Sequence, residues 1–389
     1  MNNDVKKSKG QELYIDARVA VVIAVTFILF LVAVITMTVS LVMDMTDDGG
    51  YVSVDDGDGD VKTPTKKPQD TGKTDTPVSG TPKPGYKTGM VLPALTPADA
   101  VKSTPAAELT DLAEDTGIKS AHAVLVKLGD NSSIAEKGAD TKVYPASMTK
   151  VMTLLVACEN ARDPNALLTV TQEMVDYHKD TGGSGMMGFS AGESITVEDA
   201  LYLVIYDSDT IACLLLAQYV AGSEQAFVGM MNDKAAALGL TGTHFVNCTG
   251  LFDEEHYTTC REMAAIMACA LKNAVAKEII TSYNGYTVDI YQGDNRNNSR
   301  SSLAYADWYS TRLGDNPWAG NGSDVKILGG KTGYEDIPRY CFVTYAKNTE
   351  TGTEYICVTV GRSSNEQYKI SLAESTNDTK RIYQKYATK

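Results

Sequence analysis

Three serines in this chain stand in patterns that could make a nucleophile, and their surroundings separate them. Ser147-Met148-Thr149-Lys150 follows Pro145-Ala146 and opens an apolar run containing Val151, Met152, Leu154 and Leu155. On a helix, residues three apart share a face, so the Lys150 amine can reach the Ser147 hydroxyl. A helix N-terminus favours the negative charge that develops at an attacking oxygen. Apolar neighbours lower the pKa of a lysine and leave a neutral fraction able to accept the serine proton. The chemistry implied is covalent attack by a hydroxyl with an amine as its general base. The plain alternative is an N-cap serine beside a lysine lying along apolar surface. A second match, Ser323-Asp324-Val325-Lys326, begins in a Gly-Ser-Asp turn, where neither effect operates. The third serine, in Gly188-Phe189-Ser190-Ala191-Gly192, fits the nucleophile-elbow pattern, which needs a strand just before it and a helix just after. Here Gly182-Gly183-Ser184-Gly185 precedes it and the next helix starts at a Thr196 N-cap, so the segment reads as a surface loop.

Two further triplets offer partners. Lys331-Thr332-Gly333 follows the β-like Val325-Lys326-Ile327-Leu328 and precedes another strand. A Lys-Thr pair on an edge strand presents an ammonium and a hydroxyl to a carboxylate, and the glycine lets a ligand approach the backbone. The other copy, Lys87-Thr88-Gly89, lies next to Pro84-Gly85 in a segment with few large apolar residues. Between the first and third elements stands Ser208-Asp209-Thr210, at a turn linking two helical runs.

These residues need a frame. Ala121–Lys127 alternates and is rich in Val and Leu, which predicts a strand; Met148–Cys158 and Glu198–Val220 are apolar runs of helical length. Val325–Leu328, Tyr340–Ala346 and Glu354–Val360 predict antiparallel strands, and Asp378–Tyr386 a closing helix. Strands at both ends with helices between predict an α+β fold in which the chain ends share a sheet and the middle forms a helical lobe.

The first quarter of the chain differs in composition. Val19 to Met43 has no charged residue and is long enough to span a bilayer core of ~30 Å as a helix. Lys6, Lys7, Lys9 and Arg18 precede it, and Asp44, Asp47 and Asp48 follow, an asymmetry that predicts a cytoplasmic N-terminus. The run exceeds the ~7–15 apolar residues of a cleaved signal peptide. Residues 44–95 are rich in Asp, Pro, Thr, Gly and Lys and read as a hydrated tether. The expected organisation is a cytoplasmic tail at 1–18, a transmembrane anchor at 19–43, a disordered extracellular linker at 44–95 and a catalytic domain at 96–389.

Across 389 residues, 43% are hydrophobic, enough for a large core, and the formal charge is −14, which disfavours binding to nucleic-acid backbones. His122, His178, His244 and His256 show no metal-site spacing. Of the seven cysteines, Cys158, Cys213 and Cys269 lie in apolar helical runs and read as packed thiols. Cys248 and Cys260 flank a loop and are a candidate pair that sequence does not decide.

The order S-x-x-K, then a serine triplet, then K-T-G is the signature of penicillin-binding proteins and class A β-lactamases. From about residue 118 onward the sequence resembles the D-alanyl-D-alanine carboxypeptidases, low-molecular-weight penicillin-binding proteins of bacterial cell walls. The likeness extends to Thr196-Val197-Glu198-Asp199, Ala221-Gly222-Ser223-Glu224-Gln225-Ala226-Phe227, Thr243-His244-Phe245-Val246-Asn247 with Gly250-Leu251, and Gly330-Lys331-Thr332-Gly333-Tyr334. It implies a β-lactamase/transpeptidase-like fold, an antiparallel sheet flanked by helices with an all-helical lobe. It implies a serine peptidase acting on peptidoglycan stem peptides ending in D-Ala-D-Ala, acylated by β-lactam antibiotics and requiring no metal or cofactor. Ser147 would be the nucleophile, Lys150 its base and Ser208 the proton relay. Lys331 and Thr332 would hold the terminal carboxylate, with backbone N–H groups of Ser147 and Tyr334 facing the oxyanion and Gly333 and Thr210 lining the substrate site. The family usually has asparagine where this chain has Thr210, and losing one preorganised contact can cost about 10–1000-fold in rate. Arg339 and Arg362 are candidates for an additional carboxylate-binding arginine. The alternatives are a serine β-lactamase and a penicillin-binding protein that binds wall peptides without turnover.

Overall fold

A computed structural model of the chain describes residues 103–282, 285–304, 324–337, 339–361 and 370–387. The expected tail, anchor and linker, and the candidates at Lys87, Ser323 and Arg362, lie outside these residues. Among the described residues no single helix is long and apolar enough to cross a membrane.

The principal sheet has six strands, β1 (Thr104–Asp111), β2 (His122–Lys127), β3 (Ser132–Lys137), β8 (Val325–Glu335), β9 (Arg339–Asn348) and β10 (Glu354–Val360). Their order is β1-β3-β2-β10-β9-β8, so early and late strands share one sheet, as the pattern predicts, joined side by side at β2 and β10. All pairings are antiparallel except that of β1 with β3. The central strands β2 and β10 read as near-continuous Val, Ile, Leu and Ala runs because both of their faces are covered. Among the described residues, strand β8 is the last in the order.

Among the described residues there are eight α-helices. They are α1 (Lys150–Asn160), α2 (Gln172–Asp180), α3 (Val197–Tyr206), α4 (Thr210–Ala221), α5 (Glu224–Ala237), α6 (Cys260–Lys272), α7 (Ala274–Thr281) and α8 (Leu372–Tyr386). Helix α1 is buried over nearly its whole length and packs against α3, α4, α5, α6 and α7. Thr196 starts α3 with a capping box: its hydroxyl accepts from Asp199 N at 3.0 Å and the Asp199 carboxylate accepts from Thr196 N at 3.3 Å. The long apolar stretch expected over 198–220 is two helices, broken at Asp207–Asp209. Helix α4 ends on Gly222, whose φ of +80° closes the last turn at no steric cost.

The helical lobe is not all-helical. A second sheet, ordered β4-β5-β6-β7, is formed by β4 (Leu167–Thr169), β5 (Glu193–Thr196), β6 (Tyr286–Gln292) and β7 (Asn295–Ala304). Tyr286 ties it to α3 by stacking on Tyr202 with ring centroids 3.9 Å apart and donating to Asp199 Oδ1 at 2.9 Å. Ser190 sits in an exposed loop ahead of β5, in agreement with its reading as a decoy.

All seven cysteines are buried free thiols, so Cys248 and Cys260 do not pair. Cys260 opens α6, whereas the Cys248 thiol donates to Glu224 Oε1 at 3.3 Å on another element.

Candidate active site

Pro145 leads into a single 3₁₀ turn, Ala146–Thr149, that runs straight into α1. Ala146 carries φ +47°, an unusual value for a residue with a Cβ. Gly250 abuts it so tightly that a Cβ there would collide with the Ala146 carbonyl and stand 2.9 Å from Ser147 N. Ser147 is not an N-cap: no side chain caps this turn. Its hydroxyl instead accepts from Lys150 Nζ at 2.9 Å, the contact that i, i+3 spacing predicts.

Lys150 is only 1% exposed. Burial depresses its affinity for a proton, and the ammonium of Lys331 adds to the effect, while Asp209 and two buried thiols oppose it. Its nitrogen also donates to the Thr249 carbonyl at 2.6 Å and to Ser184 Oγ at 3.4 Å. Thr249 is presented by a loop wound around Asn247, whose Oδ1 accepts from Thr249 N at 3.2 Å and from Gly250 N at 2.7 Å. Below the turn, Thr149 is held by His256. Val246 N–H donates to His256 Nδ1 at 3.2 Å, so Nε2 carries the hydrogen and donates to Thr149 Oγ1 at 2.7 Å. Burial holds this imidazole neutral, its pKa lowered to about 4.

The break between α3 and α4 supplies the second motif. Ser208 is buried with φ +52°, and Asp209 caps α4 by accepting from Ala212 N at 2.7 Å. Burial raises the Asp209 carboxyl to about 7, with Asp207 adding to the effect and the Ala212 hydrogen bond and Lys150 opposing it. Thr210 is also buried; its N–H donates to the Ser184 carbonyl at 2.9 Å.

Strand β8 brings the third motif. A Cβ on Gly333 would lie 3.1 Å from Pro145 O and 3.2 Å from Ala146 Cβ, so the strand rests on the turn that holds Ser147. Lys331 shares the buried side of the strand with Gly333, and its Nζ donates to the Thr332 carbonyl at 3.0 Å. Thr332 is half-buried and Tyr334 exposed. Arg339, at the start of β9, donates to Tyr334 Oη at 2.8 Å and faces Asp336 at 3.7 Å. A cleft of about 490 Å³ opens beside the cluster, lined by Tyr177, Asn247, Leu251, Phe252 and Glu335 among others.

The three motifs predicted from sequence therefore meet at one place. Two contributors carry no motif: the Thr249 carbonyl and Ser184. The run Gly182-Gly183-Ser184-Gly185 was legible as a loop, but its contact with the amine was not.

Comparison with known proteins agrees with this geometry. Residues 109–364 match the family model described as D-alanyl-D-alanine carboxypeptidase. D-alanyl-D-alanine carboxypeptidase DacF of Bacillus subtilis is 30% identical over 230 residues, covering 58% of this chain and 53% of that protein. DacC of Escherichia coli is 34% identical over 182 residues, 45% of each chain. The chain thus spans about half the length of these curated relatives. A crystallised variant of the Streptomyces K15 DD-transpeptidase superposes with a TM-score of 0.58 at 25% identity, covering 68% of this chain and 96% of that one.

Proposed function

This chain belongs to the D-alanyl-D-alanine carboxypeptidase family, and on that premise we propose that it removes the terminal D-alanine from peptidoglycan stem peptides through an acyl-enzyme on Ser147. The observation that carries the reading is a buried amine 2.9 Å from a hydroxyl, with no ion pair to a carboxylate among the described residues. Such an amine is held partly neutral and can take the Ser147 proton as Oγ attacks the carbonyl of the penultimate D-alanine. The oxyanion would form against the backbone N–H groups of Ser147 and Tyr334, donors fixed before charge develops. Breakage of the C–N bond releases D-alanine, its amine taking a proton relayed through Ser208. Water then cleaves the ester and regenerates Ser147. The Lys331 ammonium, Thr332 and Gly333 at the sheet edge suit the terminal carboxylate of the peptide. The same carboxylate and strained carbonyl on a β-lactam would acylate Ser147 in its place.

Mass spectrometry of the intact protein after penicillin should show one adduct, mapped to Ser147 and absent from Ser147→Ala. D-Alanine should be released from a diacyl-D-Ala-D-Ala peptide by the native chain only. An adduct with no D-alanine release would make the protein a binder; sustained antibiotic hydrolysis would make it a β-lactamase.

In the same reading, residues 19–43 anchor the chain in the cell membrane with residues 1–18 cytoplasmic, and residues 44–95 carry the catalytic domain outward to the wall. The uncharged apolar run and its flanking Lys/Arg excess support this. A chain lacking residues 1–43 should leave the membrane fraction; retention there would count against the anchor.

A further inference from the structure

We propose that Ser184, together with the Thr249 carbonyl, aims the lone pair of neutral Lys150 at Ser147, so that Ser184 is a positioning residue for proton transfer in this chain. The proposal rests on the reading of Ser147 as nucleophile and goes beyond it by assigning a residue outside the three motifs.

The argument is one of donors and acceptors. Three oxygens surround Lys150 Nζ: Ser147 Oγ at 2.9 Å, Thr249 O at 2.6 Å and Ser184 Oγ at 3.4 Å. Together with Cε they make four neighbours, as many as a tetrahedral nitrogen has directions. An ammonium can donate to all three. When it loses a proton, two N–H bonds and one lone pair remain. Thr249 O is a carbonyl and can only accept. Ser184 has a single hydroxyl hydrogen, which it donates to the Ser208 carbonyl at 2.5 Å, so towards Lys150 it can also only accept. Ser147 alone keeps a hydrogen to give. The two N–H bonds therefore settle on Thr249 and Ser184, and the lone pair faces the Ser147 O–H bond that must break as the N–H bond forms.

Ser184 also clasps the second motif from both sides. Its hydroxyl holds the Ser208 carbonyl and its own carbonyl accepts from Thr210 N at 2.9 Å, which fixes the turn in which Ser208 has φ +52°. This bears on the departure at Thr210. Asparagine at that position has a carboxamide oxygen able to accept from a neighbouring lysine. Thr210 Oγ1 instead lies against Gly183, where an added Cβ would come within 2.8 Å of it. The close approach needs glycine at 183, and the next residue delivers the replacement acceptor. The charged and titratable groups acting on Lys150 from the surrounding elements include Lys331 and Glu335 on β8, Asp209 and Cys213 at the start of α4, Cys248 in the Asn247 loop, and His256.

The test is the rate of acylation by a fluorescent penicillin, followed across pH for the native chain, Ser184→Ala, Ser184→Thr and Ser184→Ala/Thr210→Asn. Ser184→Ala should lower the rate constant about 10–100-fold on the alkaline plateau, where Lys150 is already neutral, with little change in the concentration giving half-maximal rate. Ser184→Thr, which keeps the hydroxyl, and Thr210→Asn in the alanine background should each recover most of the loss. An alanine variant within twofold of native on the plateau would overturn the proposal, as would a threonine variant as slow as alanine. If the native chain itself takes no label, the nucleophile assignment falls and this one with it.

Discussion

The two ends of helix α1 each meet a buried lysine, and the contrast between them shows what makes one amine reactive. At the C-terminal end Glu159 pairs with Lys234 from α5 at 2.7 Å, both side chains less than a tenth exposed. At the N-terminal end Lys150 is more deeply buried and is met by two hydroxyls and a carbonyl. A carboxylate compensates a buried ammonium and keeps it charged; neutral oxygens satisfy its hydrogens without repaying desolvation. Burial alone is shared by both ends of the helix, so the chemistry is set by the partner.

The sharpest break of this comparison is Lys150→Arg against Lys234→Arg. A guanidinium stays charged at any accessible pH and cannot accept the Ser147 proton. Acylation of Lys150→Arg should fall by about 10³-fold or more, whereas Lys234→Arg should stay within about threefold of native. Near-native penicillin labelling of Lys150→Arg would mean that charge and not proton acceptance matters at residue 150.

Stability should sort the two ends in the opposite way. Lys234→Met leaves Glu159 as an uncompensated buried charge and should cost about 3–5 kcal/mol in urea unfolding. Replacing Glu159 as well, in Lys234→Met/Glu159→Leu, should recover most of it, because an apolar pair needs no solvation. Without that recovery, the ion pair would not be the source of the loss.

A third prediction concerns the support beneath Ser147. The folded pKa of His256 is lowered to about 4, below its ordinary 6.5, by burial. Between these values the unfolded chain binds more protons than the folded one, so the contribution of His256 is complete above pH 6.5 and is lost as pH falls towards 4. The loss amounts to about 3 kcal/mol. His256→Gln should flatten that part of the stability-against-pH curve, read from denaturant midpoints; an unchanged slope would place the titration elsewhere.

Much of the frame was legible because its signals are local. The Ser147–Lys150 contact needs only helical spacing, β2 shows as a short segment rich in Val and Leu, and β9 and β10 as runs rich in β-branched and aromatic residues. The second sheet did not. Strands β4 and β5 have three and four residues, too few for a period to register, and β7 is a polar Asn-Arg-Asn-Asn-Ser run exposed along nearly its whole length. The break at 207–209 was visible as a serine triplet, but its left-handed backbone at Ser208 was not, since a serine carries no mark of positive φ. Cys248 and Cys260 were a pairing that the sequence left open, and the fold keeps both as free buried thiols.

The amino-acid sequence by itself determined the pairing of Ser147 with Lys150 one helical turn on and the strand that carries Lys331, because each depends on neighbours within a few residues. Only the tertiary structure decided what surrounds the Lys150 nitrogen. Its other acceptors come from positions 34 and 99 residues further along the chain, and contacts at that range depend on how helices and loops pack rather than on any local pattern.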